Sequence, residues 1–276
     1  MPSTAIHRHP EGSRPPLVMV HTWDTDAARL HALADHLGPD QPVIGIEPPD
    51  PEDGPMPETV EEWVAHALAA LPEHDLVGPY RLAGFSFGGV VALEMARRLR
   101  AKGEEIVWLG MIDTLRPKLN PKGAGPYLRY HARELLELPD AEHRRREAWR
   151  LVHTGMSRNK YKAKRAVRQQ VGRLGLMAAL PPPRADMASF TPLRRAIWVS
   201  YLKYEGERYD GAATLFTGDA NRAKAAGDPS LRWSGYLRGG FEVIPIEGEH
   251  LELFAPAHIK SVGGAVAACL ERVSER

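Results

Sequence analysis

The 276-residue chain predicts an α/β fold, a mostly parallel central sheet interrupted by one helical insertion. Three observations predict it. Continuous apolar runs recur along the chain, as in strands buried on both faces. Segments with apolar positions three or four apart separate those runs, as in helices with one buried face. Between about Pro117 and Arg208 the alternation stops, and a basic, proline-punctuated, helix-forming segment takes its place before strands resume. Strands alternating with helices at these intervals argue parallel pairing through right-handed crossovers.

The elements follow in order. Met1 to Pro16, with its Pro, His, Arg and Ser, reads as a loose leader without an apolar signal region. Leu17-Val18-Met19-Val20 is the first buried strand, and Ala27 to Leu37 a helix with Leu30, Leu33 and Leu37 on one face. Pro42 to Ile46 is a strand, and Glu58-Thr59-Val60 opens a helix running to about Leu71. Tyr80 to Ala83 ends a strand, and Gly89 opens a helix that stops near Lys102-Gly103, where glycine suits a C-terminus. Ile106 to Ile112 is the next strand. Within the insertion, Pro181-Pro182-Pro183 is the sharpest break, and Leu193, Ile197 and Tyr201 mark one face of a helix. The sheet resumes at Ala213 to Thr217 and again at Phe241 to Ile246, and a helix from about Pro256 to Val273 closes the chain. There is no internal repeat. Residues 1–276 read as one domain, with 117–208 inserted between two strands of one sheet.

Composition sets bounds. A 43% hydrophobic content supports a sizeable core, and no stretch approaches the ~20 apolar residues of a membrane span. Cys269 is the only cysteine, which excludes an intrachain disulfide and fits a reducing cytoplasm; in a small, apolar helical pattern it reads as packing. The net charge of +1 conceals an asymmetry: Leu115 to Asp210 carries 21 Lys and Arg against 9 Asp and Glu, and the remainder is acidic. No recognisable nucleic-acid-binding motif accompanies those basic residues.

Gly84-Phe85-Ser86-Phe87-Gly88 lies where the Tyr80 strand meets the Gly89 helix. A serine at a sharp strand-to-helix turn has its hydroxyl pushed clear of the sheet, and the helix aims free N–H groups at any oxyanion formed there. Such a serine needs a base and a group to orient that base. Of 12 histidines, His250 is best placed, in the loop Gly248-Glu249-His250-Leu251 after the last strand. His7 and His9 fall in the leader, His31, His36 and His66 on helices, and His131, His143 and His153 in the insertion, while His74 and His258 read as surface residues. None has metal-ligand spacing with further donors, so no metal site is expected. Two aspartates follow strands in the chain order Ser, Asp, His: Asp113, and Asp219 in Thr217-Gly218-Asp219. The residues alone do not choose between them.

The chain resembles the thioesterase domains that end nonribosomal peptide and polyketide synthases, within the α/β-hydrolase superfamily. The resemblance rests on Gly78 to Gly89 (Gly-Pro-Tyr-Arg-Leu-Ala-Gly-Phe-Ser-Phe-Gly-Gly), on Val91 to Arg97, and on Leu109 to Asp113. It also rests on Tyr209-Asp210-Gly211 leading into Thr214-Leu215-Phe216, and on Gly248 to Leu251. It covers the chain from about Pro15 to Val273. It implies an α/β-hydrolase fold, Asp113 as the acid, and the insertion as a helical lid. It also implies oxyanion donors at Phe87 and in the loop after the first strand. That loop departs from the family. Where a His, small residues and a glycine pair usually stand, this chain has His21-Thr22-Trp23-Asp24-Thr25. Thr22 or Trp23 would supply the backbone donor, and Trp23 would either crowd the site or pack under the lid.

The implied activity is release of an acyl, peptidyl or polyketidyl chain from a carrier-protein thioester, by hydrolysis or cyclisation, through an acyl-Ser86 intermediate. The implied partner is an acyl or peptidyl carrier protein, in trans or from an adjacent domain, presenting a small-molecule acyl substrate on phosphopantetheine. No cofactor of the chain's own, no nucleic acid and no membrane are expected. The basic insertion fits an acidic carrier. Two other readings share these residues: a small-molecule ester or amide hydrolase, and a non-catalytic carrier-binding module.

Overall fold

Seven strands form one sheet in the order β1-β3-β2-β4-β5-β6-β7. The computed structural model describes residues 5–20, 26–116, 191–204, 206–224 and 229–275. Its strands are β1 (Ala5–Arg8), β2 (Leu17–Val20), β3 (Val43–Ile46), β4 (Tyr80–Phe85), β5 (Ile106–Ile112), β6 (Ala213–Thr217) and β7 (Phe241–Pro245). The helices are α1 (Asp26–Leu37), α2 (Val60–Glu73), α3 (Phe87–Ala101), α4 (Pro192–Lys203), α5 (Asp219–Lys224) and α6 (Ile259–Ser274). Every pairing is parallel except β1 with β3.

The strand residues alternate between two apolar layers. Val18, Val20, Leu82, Leu109, Met111 and Leu215 join α2, α3 and α4 in one core. Leu17, Met19, Ala83, Phe85, Ile112 and Phe216 join α1 and α6 in the other. Both faces of the sheet are therefore covered, which is why β2, β3 and β5 read as continuous apolar runs and β4 as one interrupted only by the buried Arg81. α2 begins where Thr59 accepts a side-chain hydrogen bond from the Glu62 N–H at 3.3 Å, with Glu61 and Glu62 at the positive end of the helix dipole. α4 starts at Thr191-Pro192, with Thr191 capping the Arg194 N–H. It buries Leu193 and Ile197 in the core shared with α2, where the Trp63 indole donates to Ser200 Oγ at 3.0 Å. The predicted apolar face of this helix is thus real, and it belongs to the core. The rest of the insertion, 117–190, lies outside the described residues, as does the basic charge it carries.

Two expectations need correction. The N-terminal segment is not loose throughout: Ala5–Arg8 forms an antiparallel edge strand on β3, tied down by an Arg8–Asp35 ion pair at 2.6 Å. A four-residue edge strand buries little on either face, so its sequence lacks the apolar run that marks the others. The closing helix starts at Ile259 rather than near Pro256, the intervening residues forming turns. Cys269 is buried in α6 against the sheet, and burial pushes its thiol up. No helix among the described residues is long and apolar enough to cross a membrane.

Candidate active site

The carboxyl ends of β4, β5, β6 and β7 are stitched together by main-chain bonds. Ser86 N–H donates to Ile112 O at 2.9 Å, Asp113 N–H to Phe216 O at 2.7 Å, and Ile246 N–H to Thr217 O at 3.1 Å. Groups at successive strand ends therefore converge, as open parallel sheets arrange at their carboxyl edge.

Ser86 sits between β4 and α3 with φ 55° and ψ −120°, a conformation a side-chain-bearing residue rarely adopts. The chain can turn this tightly because position 84 has no side chain: a Cβ there would lie 2.1 Å from Gly88 O. Phe87 heads α3, so its N–H is among those without a partner inside the helix. Its ring is buried edge-on to Trp63, which fixes the turn from beneath. Thr22 and Trp23, the expected second source of an oxyanion donor, lie outside the described residues.

His250 bridges serine and aspartate. Its Nε2 lies 3.0 Å from Ser86 Oγ, and its Nδ1 lies 2.6 Å from Asp113 Oδ2. The ring stacks on Phe85, centroids 4.8 Å apart and planes at 29°, and Phe254 packs edge-on against Phe85 in turn. Its loop leaves β7 through Gly248 at φ 111°, and the His258 ring lies so close to Gly248 that a Cβ there would approach it to 2.8 Å. His258, expected at the surface, is therefore partly buried packing for this loop.

Asp113, not Asp219, reaches His250. Asp113 is fully buried and also has a positive φ, 45°. Besides His250, its carboxylate accepts from Gly218 N–H at 2.8 Å and from Asn221 Nδ2 at 2.9 Å. With three hydrogen-bond partners and full burial, its carboxylate is held in one orientation. Asp219 turns away. Its carboxylate pairs with Arg222 and accepts the Gly248 N–H at 3.1 Å, bracing the loop that carries His250. Asn221 escaped the sequence reading. Its one signal was an amide two residues after the Gly218-Asp219 turn, which is equally an ordinary turn composition.

A buried aspartate, an imidazole and a strained serine hydroxyl in hydrogen-bonded series can move a proton off the hydroxyl, the arrangement of serine hydrolases. The thioesterase domain family model matches residues 15–269, and the chain belongs to that family. The chain is 26% identical over 270 residues to enterobactin synthase component F of Escherichia coli strain K12, covering 95% of this chain and 18% of that protein. It is 38% identical over 109 residues to the vanchrobactin synthetase VabF of Vibrio anguillarum, covering 39% of this chain and 4% of that one. The chain thus spans less than a fifth of the length of these relatives. Among solved structures, the NocB thioesterase domain from the nocardicin cluster matches at 25% identity and a TM-score of 0.56, covering 97% of this chain and 98% of that domain.

Proposed function

We propose that this domain is an acyl-releasing thioesterase that takes its substrate from a carrier protein and works through an acyl-Ser86 intermediate. The observation that carries this reading is the unbroken chain Ser86 Oγ, His250, Asp113 at a strained elbow, in a member of the thioesterase family. Ser86 Oγ attacks the thioester carbonyl carbon while His250 Nε2 takes the hydroxyl proton. Asp113 holds the Nδ1–H tautomer and stabilises the imidazolium. The carbonyl oxygen gains the negative charge, facing the Phe87 N–H and a second donor that we assign to Thr22 or Trp23. The C–S bond then breaks, the imidazolium proton passes to sulfur, and a free thiol leaves an acyl-serine ester. A water molecule, or a hydroxyl or amine of the acyl chain itself, loses its proton to His250 and attacks that ester. The products are a free acid or a ring, and Ser86 is restored.

The carrier is the phosphopantetheine-bearing partner we propose for the thiol half of the substrate. Two things favour it: the long synthases and synthetases in which matching segments occur, and the basic charge between Leu115 and Asp210. The test is competition. A fluorophosphonate probe should label Ser86, and an acyl-loaded carrier protein should protect it at lower concentration than the same acyl group on free pantetheine. Labelling with equal protection by both would leave a small-molecule esterase. No labelling would leave a binding module.

A further inference from the structure

We infer that Asn221 is a positioning residue that sets the orientation and charge of Asp113 for His250, an inference that rests on the base role proposed for His250. Asn221 lies in the short helix α5 and is 5% exposed. Its Nδ2 donates to two acceptors of one residue, the Asp113 main-chain O at 3.0 Å and Oδ2 at 2.9 Å. Holding the carbonyl and the carboxylate together restrains both the positive-φ backbone of Asp113 and the rotation of its side chain. Gly218 N–H holds the other oxygen, Oδ1. The carboxylate plane is then fixed, and Oδ2 is the acceptor left facing His250 Nδ1.

The amide nitrogen also comes within 3.4 Å of His250 Nδ1. It has only protons to offer, so amide and imidazole N–H converge on the same Oδ2 rather than on each other. Asn221 therefore shares the charge that His250 sees. Its seat is firm: Arg222 of α5 donates to Thr217 O, and Asp219 of α5 holds Gly248 N–H at the root of the His250 loop. One six-residue helix is thus tied to both acid and base.

Among the described residues, the ionisable groups packed around His250 include Arg29 of α1, over the Phe85 ring, the paired Asp219 and Arg222 of α5, and His258, whose ring packs against Gly248. Glu249 and Glu252 lie on its own loop. In Asn221→Leu the carboxylate loses the donor that shares its charge, and loses its fixed plane. In Asn221→Asp a second negative charge stands beside the imidazole and favours its protonated form.

The test is the rate at which a fluorophosphonate labels Ser86 between about pH 5 and 9, with kcat and KM on an acyl-pantetheine thioester and thermal midpoints alongside. Asn221→Leu should lose about 10- to 100-fold in labelling rate and kcat, the scale on which misplaced catalytic groups are felt, with KM little changed. The acidic limb of the labelling profile should move to higher pH in both variants. Purely structural support would lower the thermal midpoint and leave the limb where it is. If Asn221→Leu does not fold, Asn221→Asp, of equal size, carries the test alone. Folded variants with wild-type rates and an unmoved limb would overturn the inference while His250 keeps its role. A wild-type protein that does not label at Ser86 would overturn that role, and this inference with it.

Discussion

Asp113→Asn should cost about 10⁴ in kcat, or about 5.4 kcal/mol of transition-state stabilisation, the scale of that change in catalytic triads generally. Either orientation of the amide gives up something the carboxylate supplied. The native carboxylate offers acceptors to three donors, Gly218 N–H at 2.8 Å, Asn221 Nδ2 at 2.9 Å and His250 Nδ1 at 2.6 Å. An amide offers one oxygen and one NH2 group. Turned one way, its NH2 faces Gly218 N–H; turned the other, it faces the Asn221 amide and His250. In the second case the imidazole moves its proton to Nε2, where it points at Ser86 Oγ and cannot take the hydroxyl proton. In the first, a buried N–H is left opposed, at a stability cost of about 1–3 kcal/mol. Steady-state kinetics on an acyl-pantetheine thioester, with thermal unfolding beside it, separates the two losses. Asp219→Asn is the control. It keeps an oxygen for Gly248 N–H and weakens only the pairing with Arg222, so it should lose less than about tenfold. A crippled Asp219→Asn beside a mild Asp113→Asn would refute the reasoning.

Three further outcomes are expected. Gly84→Ala should destabilise by about 3 kcal/mol or more in urea unfolding, because its Cβ would press on Gly88 O, and a wild-type midpoint would mean the elbow can relax. Tyr204→Phe should cost about 1.5–3 kcal/mol, since the buried phenol donates to Glu94 Oε1 at 2.7 Å and leaves that carboxylate with Arg97. Burial, and then the Glu94 charge, pushes the Tyr204 phenol well above its ordinary range. Its contribution is therefore complete below about pH 10 and fades as pH rises further, so the gap between wild type and Tyr204→Phe should narrow in strong alkali. Rate constants for carrier-bound substrate should fall steeply with salt while those for a small neutral thioester stay level, and charge reversal at Arg144, Arg145 and Arg146, or at Lys162, Lys164 and Arg165, should mimic salt. Equal salt dependence for both substrates would detach the basic segment from carrier docking.

What the sequence made legible has physical causes. Strands β2 to β5 are buried on both faces, so their residues are apolar apart from Arg81 of β4, and the sequence marks each strand to within a residue or two. Ser86 and His250 were legible because an elbow imposes a local pattern, and because the last strand of such a sheet delivers its loop beside that elbow. β1 was missed because an edge strand needs no apolar run. α5 was missed because six residues are too few to show a period. The choice between Asp113 and Asp219 was invisible in the residues, since both end strands in the sheet. In space the two separate: β5 and β6 lie side by side, Gly218 N–H and Asn221 receive Asp113, and Asp219 is left to the His250 loop.

The central claim is a covalent acyl-Ser86 intermediate, and intact mass measurement after brief incubation with acyl-pantetheine thioesters tests it most directly. The account predicts that the wild-type protein gains the mass of the acyl group and that free acid or cyclised product then accumulates. Ser86→Ala, which removes one oxygen from a folded site, should gain nothing. Acylation that persists in Ser86→Ala, or turnover with no acyl adduct when the reaction is quenched before release, would contradict it.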